Sequence, residues 1–142
     1  MQTIQQHRAR FALERVEHAS TNLQAEKLAA FKARAAELPA MIQMNGLGQA
    51  AAFYRMKGEK HAHRDLYNVL SGWLCRAPGA HTPEGGIFHA HGDLIAGITH
   101  SEQGDYRVAQ AEALALMEWV KRFAKAFIAD QPAAHTAPPE ED

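Results

Sequence analysis

The chain has 142 residues, 46% of them hydrophobic and 22% charged, with a net charge of −1. That size and balance fit one domain built around a single core. They exclude a wholly basic, histone-like binder, and no apolar run approaches the ~20 residues needed to span a bilayer.

The first segment, "TIQQHRARFALERVEHA", spaces Ile4, Phe11 and Val16 among good helix formers and predicts a helix. "STN" at 20–22 is expected to break it and to cap the next helix. "LQAEKLAAFKARAAEL" continues with Leu23, Leu28, Phe31 and Leu38 roughly on one side, and a single long kinked helix is the alternative. Pro39 suits the first turn of a further helix, because its missing N–H has no partner there anyway. That helix is expected to run through "AMIQMNGLGQAAAFYRMK". "GEKHAHRDL" opens another, with Tyr67, Leu70, Trp73 and Leu74 at helical spacing, ending near "RAPG".

Residues 77–92, "APGAHTPEGGIFHAHG", read as a loop. "DLIAGITH" is a short helix with Asp93 as N-cap. "SEQGDYRVAQAEALALMEWVKRFAKAFIAD" is the clearest helix of the chain, and "QPAAHTAPPEED" is expected to be a disordered Pro/Ala/acidic tail. Nothing alternates like a strand. The predicted architecture is an all-α single-domain bundle of about five or six helices over residues 1–130, with a tail at 131–142.

Cys75 is the only cysteine, so no internal disulfide forms. It reads as a small buried hydrophobe at a helix end. The N-terminal residues lack the apolar stretch of a signal peptide, and a cytoplasmic setting is expected. The charge is unevenly spread. Residues 1–64 hold ten Lys and Arg against five Asp and Glu, a net +5; residues 65–142 hold five against eleven, a net −6. This allows a basic face on a neutral molecule, although uneven surfaces are common.

Nine histidines invite a metal reading, and "HAHRDL" at 61–66 is nearly repeated as "HAHGDL" at 89–94. On a helix, residues i and i+2 lie ~200° apart and cannot share an ion, which disfavours His61 with His63. His89 and His91 fall in the loop, where they can converge with His81, Asp93 or His100. A histidine-rich surface loop without a metal is the commoner case. No nucleophile elbow, zincin or Walker pattern is present.

Gly46 and Gly48 follow a helical approach and precede Gln49 and Ala50, so they lack the setting of a phosphate loop. Glycine in a helix costs ~1 kcal/mol relative to alanine. Two so close imply a bend or a close backbone approach. Asn45 and Gln49 beside them are suited to polypeptide or sugar-phosphate contacts; a bend with solvated amides is the plainer alternative.

On the last long helix, Ala109, Ala113, Leu116, Met117, Val120, Phe123, Ala124 and Phe127 form the apolar side. Arg107, Glu118, Lys121, Arg122 and Lys125 fall within an arc of ~100° on the other. That arc is a phosphate-contacting stripe or a solvated face with Glu118 paired locally. Arg55, Lys57, Lys60 and Arg64 form a second basic cluster. Little aromatic interleaving points to backbone contact rather than base stacking, with Tyr54 and Tyr67 assigned to core or rim packing.

Three blocks, "LPAMIQMNGLGQAAAFYRMK", "YNVLSGWL" and "DYRVAQAEALALMEWVKRFAKAF", resemble the small α-helical subunit of the Cmr effector complex of type III-B CRISPR systems. They span most of residues 38–128; the loop at 77–92 lies outside the pattern. The resemblance implies an all-α, non-enzymatic protein without a cofactor. It implies copies stacked beside the filament of backbone subunits, helping to line a channel for guide RNA and target RNA. RNA cleavage then belongs to the backbone subunits and second-messenger synthesis to the large subunit. Sequence-independent contacts are expected from Asn45, Gln49, Arg55, Lys57, Lys60, Arg107, Lys121, Arg122 and Lys125. Two alternatives remain at this point: a metal-dependent hydrolase using His81, His89, His91 and His100, and a helical oligomeric scaffold without RNA contact.

Overall fold

The computed structural model describes residues 1–130, and within them every regular element is a helix. α1 spans Ile4–Asn22, α2 Ala25–Met56, α3 Ala62–Leu74, α4 Leu94–His100 and α5 Gln103–Phe127. The expected tail at 131–142 lies outside the described residues. α1 opens on a capping box: the Gln6 N–H donates to Thr3 Oγ1 at 3.1 Å, and the Thr3 N–H to Gln6 Oε1 at 2.9 Å. "STN" forms the last turn of α1 rather than the cap of α2, which starts after Gln24 without a side-chain cap.

The helix break expected at Pro39 is absent. α2 keeps helical dihedrals through Pro39 and breaks at Gly46, at φ 87° and ψ 155°. Pro39 is buried, so the packing it gains against the core offsets the N–H it cannot donate to the Ala35 carbonyl. The break at Gly46 is a reversal. Tyr54 Oη donates to the Arg34 carbonyl, 20 residues earlier, at 3.2 Å. An unbroken helix would hold those positions ~30 Å apart. Residues 47–56 therefore return alongside residues 25–45.

The core runs between these two arms of α2 and the buried faces of α1, α3 and α5, with Trp73, Tyr54, Tyr67 and Phe31 its largest members. α5 lies along α1 and α2, and α3 packs on α2. One polar network crosses this core. Arg8 Nη2 pairs with Glu112 Oε2 at 2.8 Å, and Trp73 Nε1 donates to Glu112 Oε1 at 3.0 Å. It ties α1, α3 and α5 together.

The loop 77–92 is folded onto the bundle. Its Gly86 and Phe88 N–H groups donate to the Arg76 and Leu74 carbonyls, each at 2.8 Å, and Phe88 is buried. Asp93 caps α4 as expected, accepting from the Ile95 N–H at 3.2 Å, and it also accepts from Tyr67 Oη at 2.8 Å. Cys75 is half-buried at the end of α3, where burial raises its thiol pKa. Among the described residues no helix is long and apolar enough to cross a membrane.

Candidate nucleic-acid interface

The reversal at Gly46 leaves the first N–H groups of the return arm without helical acceptors. α5 supplies them. The Leu47 N–H donates to Gln110 Oε1 and the Gly48 N–H to Tyr106 Oη, each at 2.8 Å. A Cβ on Gly46 would lie 3.3 Å from Tyr106 Oη, and one on Gly48 3.4 Å from it. The close backbone approach expected of these glycines is thus made by the chain's own α5.

This geometry points Asn45 and Gln49 outward. Together with Met41 and Phe53 they line a shallow groove between the two arms of α2. A second groove is lined by Glu26, Lys27, Arg34, Lys60, His61 and His63. The two meet where Phe53 touches His63, ring centroids 5.9 Å apart. Lys57 Nζ stands over the Phe53 ring at 5.1 Å. Asn45, Gln49, Lys57 and Lys60 therefore share one surface.

A third groove separates α2 from α5. Lys121 and Lys125 face Lys32 across a floor of Ala29, Ala33 and Ala36, enclosing about 500 Å³. Lys32 Nζ donates to the Ile128 carbonyl at 2.7 Å and pairs with Asp130 at 2.8 Å. Lys121 and Lys125 have no ion pair among the described residues.

The remaining sequence-predicted cations are not gathered with these. Arg55 lies over the Tyr67 ring at 5.9 Å, on the far side of its helix from Phe53. Arg122 pairs with Glu118 at 3.7 Å, the local pairing that the solvated-face reading offered. Arg107 is exposed, about 21 Å along α5 from Lys121 at the usual helical rise. The single stripe drawn on α5 thus divides, because Lys121 and Lys125 lean toward α2 while Arg122 points to solvent.

Phe53, His61, His63, Lys27, Arg34 and Lys32 belong to these surfaces and were missed. A helical wheel of residues 25–45 carries part of the signal, since Lys27, Arg34 and Met41 recur every seven residues on one face. Phe53 and His63 lie in contact beside these cations, aromatic neighbours that the basic clusters do not show along the chain. Burial lowers the His63 pKa, helped by Arg34, Lys57 and His61, so its ring favours the neutral form. Burial and Glu37 push Tyr54 up to about 12, which keeps it a hydrogen-bond donor.

Among the described residues the other histidines are dispersed. His81 packs edge-on against Phe11 at 4.8 Å, while His91 and His100 stack at 6.1 Å. Among the described residues no three His, Cys, Asp or Glu are placed to hold one ion.

Known proteins share this architecture. A CRISPR system Cmr subunit Cmr5 from Thermus thermophilus is 31% identical over 128 residues, 90% of this chain and 98% of that protein. The crystal structure of a CRISPR-associated Cmr5 family protein from the same organism superposes with a TM-score of 0.68 and 30% identity. That match covers 90% of this chain and all of that one. The family described as CRISPR-associated protein (Cas_Cmr5) matches residues 4–127. The bundle as a whole is therefore a family fold, and the chain belongs to the CRISPR-associated Cmr5 family.

Proposed function

We propose that the chain is a non-catalytic small subunit of a type III-B Cmr effector complex, stacking with its own copies and lining the channel for guide and target RNA. Family membership supports the complex as its setting. The observation that carries RNA contact is the pair of grooves flanking α2, edged by Lys57 and Lys60 on one side and Lys121 and Lys125 on the other. Base pairing between guide and target reads sequence, so a channel subunit needs only sequence-blind contact. Ammonium groups on phosphates and the Asn45 and Gln49 amides on sugars supply that contact. Stacking in a row requires two different complementary faces on each copy. The cytoplasm is the compartment in which such a complex meets its RNA.

Gel-shift or filter binding with single-stranded RNA, with and without the other Cmr subunits, tests the reading across a salt series. Affinity should fall as salt rises, and Lys57→Ala with Lys121→Ala should weaken capture and flatten the slope. Unchanged affinity and slope in the assembled complex would remove these residues from the channel and favour a scaffold without RNA contact. Metal analysis of the purified chain separates the hydrolase alternative, which requires stoichiometric metal at the loop histidines.

A further inference from the structure

The row of rings at the junction of the two α2 grooves has a chemistry that phosphate contact does not explain. Phe53 is 37% exposed, His61 is exposed and His63 is half-buried. Their centroids follow one another at 5.9 Å and 6.2 Å, with interplanar angles of 75° and 69°. Phe53 and His61, at the two ends of the row, are its exposed members, and the half-buried His63 links them. The groove that His61 and His63 line holds about 400 Å³, within the roughly 300–1,000 Å³ of small-ligand sites.

Charge surrounds the row. Lys57 lies over Phe53, and Lys60 lines the groove with Arg34. Arg34 and Lys27 are already paired, with Glu37 at 2.9 Å and Asp65 at 3.3 Å. Lys57 and Lys60 have no such pair among the described residues. Exposed aromatic rings beside unpaired ammonium groups match the two parts of an unpaired nucleotide, a base that stacks and a phosphate that is neutralised. A duplex offers only the second part, because its bases are already stacked. The amides of Asn45 and Gln49, in the adjoining groove, are suited to a base edge or a 2′-hydroxyl.

We infer that Phe53, His61 and His63 form a stacking platform for an unpaired nucleotide of single-stranded RNA, with Lys57 and Lys60 on its phosphates. The inference rests on the reading that this chain contacts RNA, and it adds that one part of that contact is made to bases.

The test compares two probes on the full chain at low salt. One is a short single-stranded RNA carrying the fluorescent base 2-aminopurine; the other is the same backbone without bases. The base-bearing probe should bind more tightly, and its fluorescence should be quenched by stacking. His61→Ala removes an exposed ring that makes no cap bond to α3, and Phe53→Leu keeps apolar bulk without a π-face. Each should weaken the base-bearing probe roughly tenfold, reduce the quench, and leave the abasic probe unchanged. Phe53→Trp should preserve binding. Lys60→Ala should weaken both probes alike. Equal binding of the two probes, or equal losses on both in Phe53→Leu and His61→Ala, would overturn the platform while leaving phosphate contact intact. Binding of neither probe would overturn the platform and RNA contact together.

Discussion

Gly46 holds φ 87° with ψ 155°, a region essentially closed to residues with a side chain. Strain of this kind costs roughly 1–3 kcal/mol, and Gly46→Ala adds a methyl 3.3 Å from Tyr106 Oη. We expect that substitution to lower unfolding free energy by about 1–3 kcal/mol, read from urea midpoints. Tyr106→Phe leaves the Gly48 N–H without its acceptor and should cost about 1–3 kcal/mol. A neutral effect of both would remove the α5 clamp as a determinant of the bend. His63 gives a pH signature. Burial, then Arg34, Lys57 and His61, hold its pKa below the ordinary 6.5. The unfolded chain therefore binds the proton more readily, and His63 disfavours folding as pH drops through the region just below 6.5. Stability should rise with pH there, and His63→Gln should flatten that part of the profile.

α5 acts as the strut of the bundle, because one of its side chains serves two other helices. Burial alone would raise the Glu112 pKa, but hydrogen bonds from Arg8 and Trp73 and the charges of Arg8 and Arg76 bring it below the ordinary 4.5. Its folded pKa is depressed, so this stabilisation is present above the unfolded value and is lost as pH falls through the folded one. Glu112→Ala leaves Arg8 and the Trp73 N–H without their acceptor and should cost about 2 kcal/mol near neutral pH. Glu112→Gln should lose stability less steeply than the parent below about pH 4.5. Equal slopes in a urea series across that range would assign the acid response to other carboxylates. The apolar periodicity of α5 is legible in its sequence. Its partnership is not, because Arg8 and Glu112 are 104 positions apart.

Across the whole molecule the cations divide by what surrounds them. Lys121 and Lys125 share a groove with Lys32, whereas Arg55 lies on Tyr67 and Arg122 on Glu118. If the grooves hold single-stranded RNA, Lys121→Ala with Lys125→Ala should reduce the salt slope by about 1.4. Arg122→Ala should change it little, since Glu118 already offsets that charge. A larger effect from Arg122 would move the contact to the outer face of α5. The helical class, the number of elements, the Asp93 cap and the family blocks were all legible along the chain, because each depends on neighbours within a few turns. A helix start is expected at Pro39 and a bend or close approach at Gly46 and Gly48; the helix runs on through Pro39, and the bend is at Gly46. Proline loses one hydrogen bond and can remain in a helix that buries it, whereas only glycine reaches the dihedrals of a full reversal. That reversal, clamped by α5, brings residues 27 and 34 beside residues 60–63, and the turn between α2 and α3 sets Phe53 against His63. Local periodicity determined which helices form and which faces they bury. Only tertiary structure decided which exposed side chains meet, because that depends on the angle at one glycine and on acceptors supplied by a distant helix.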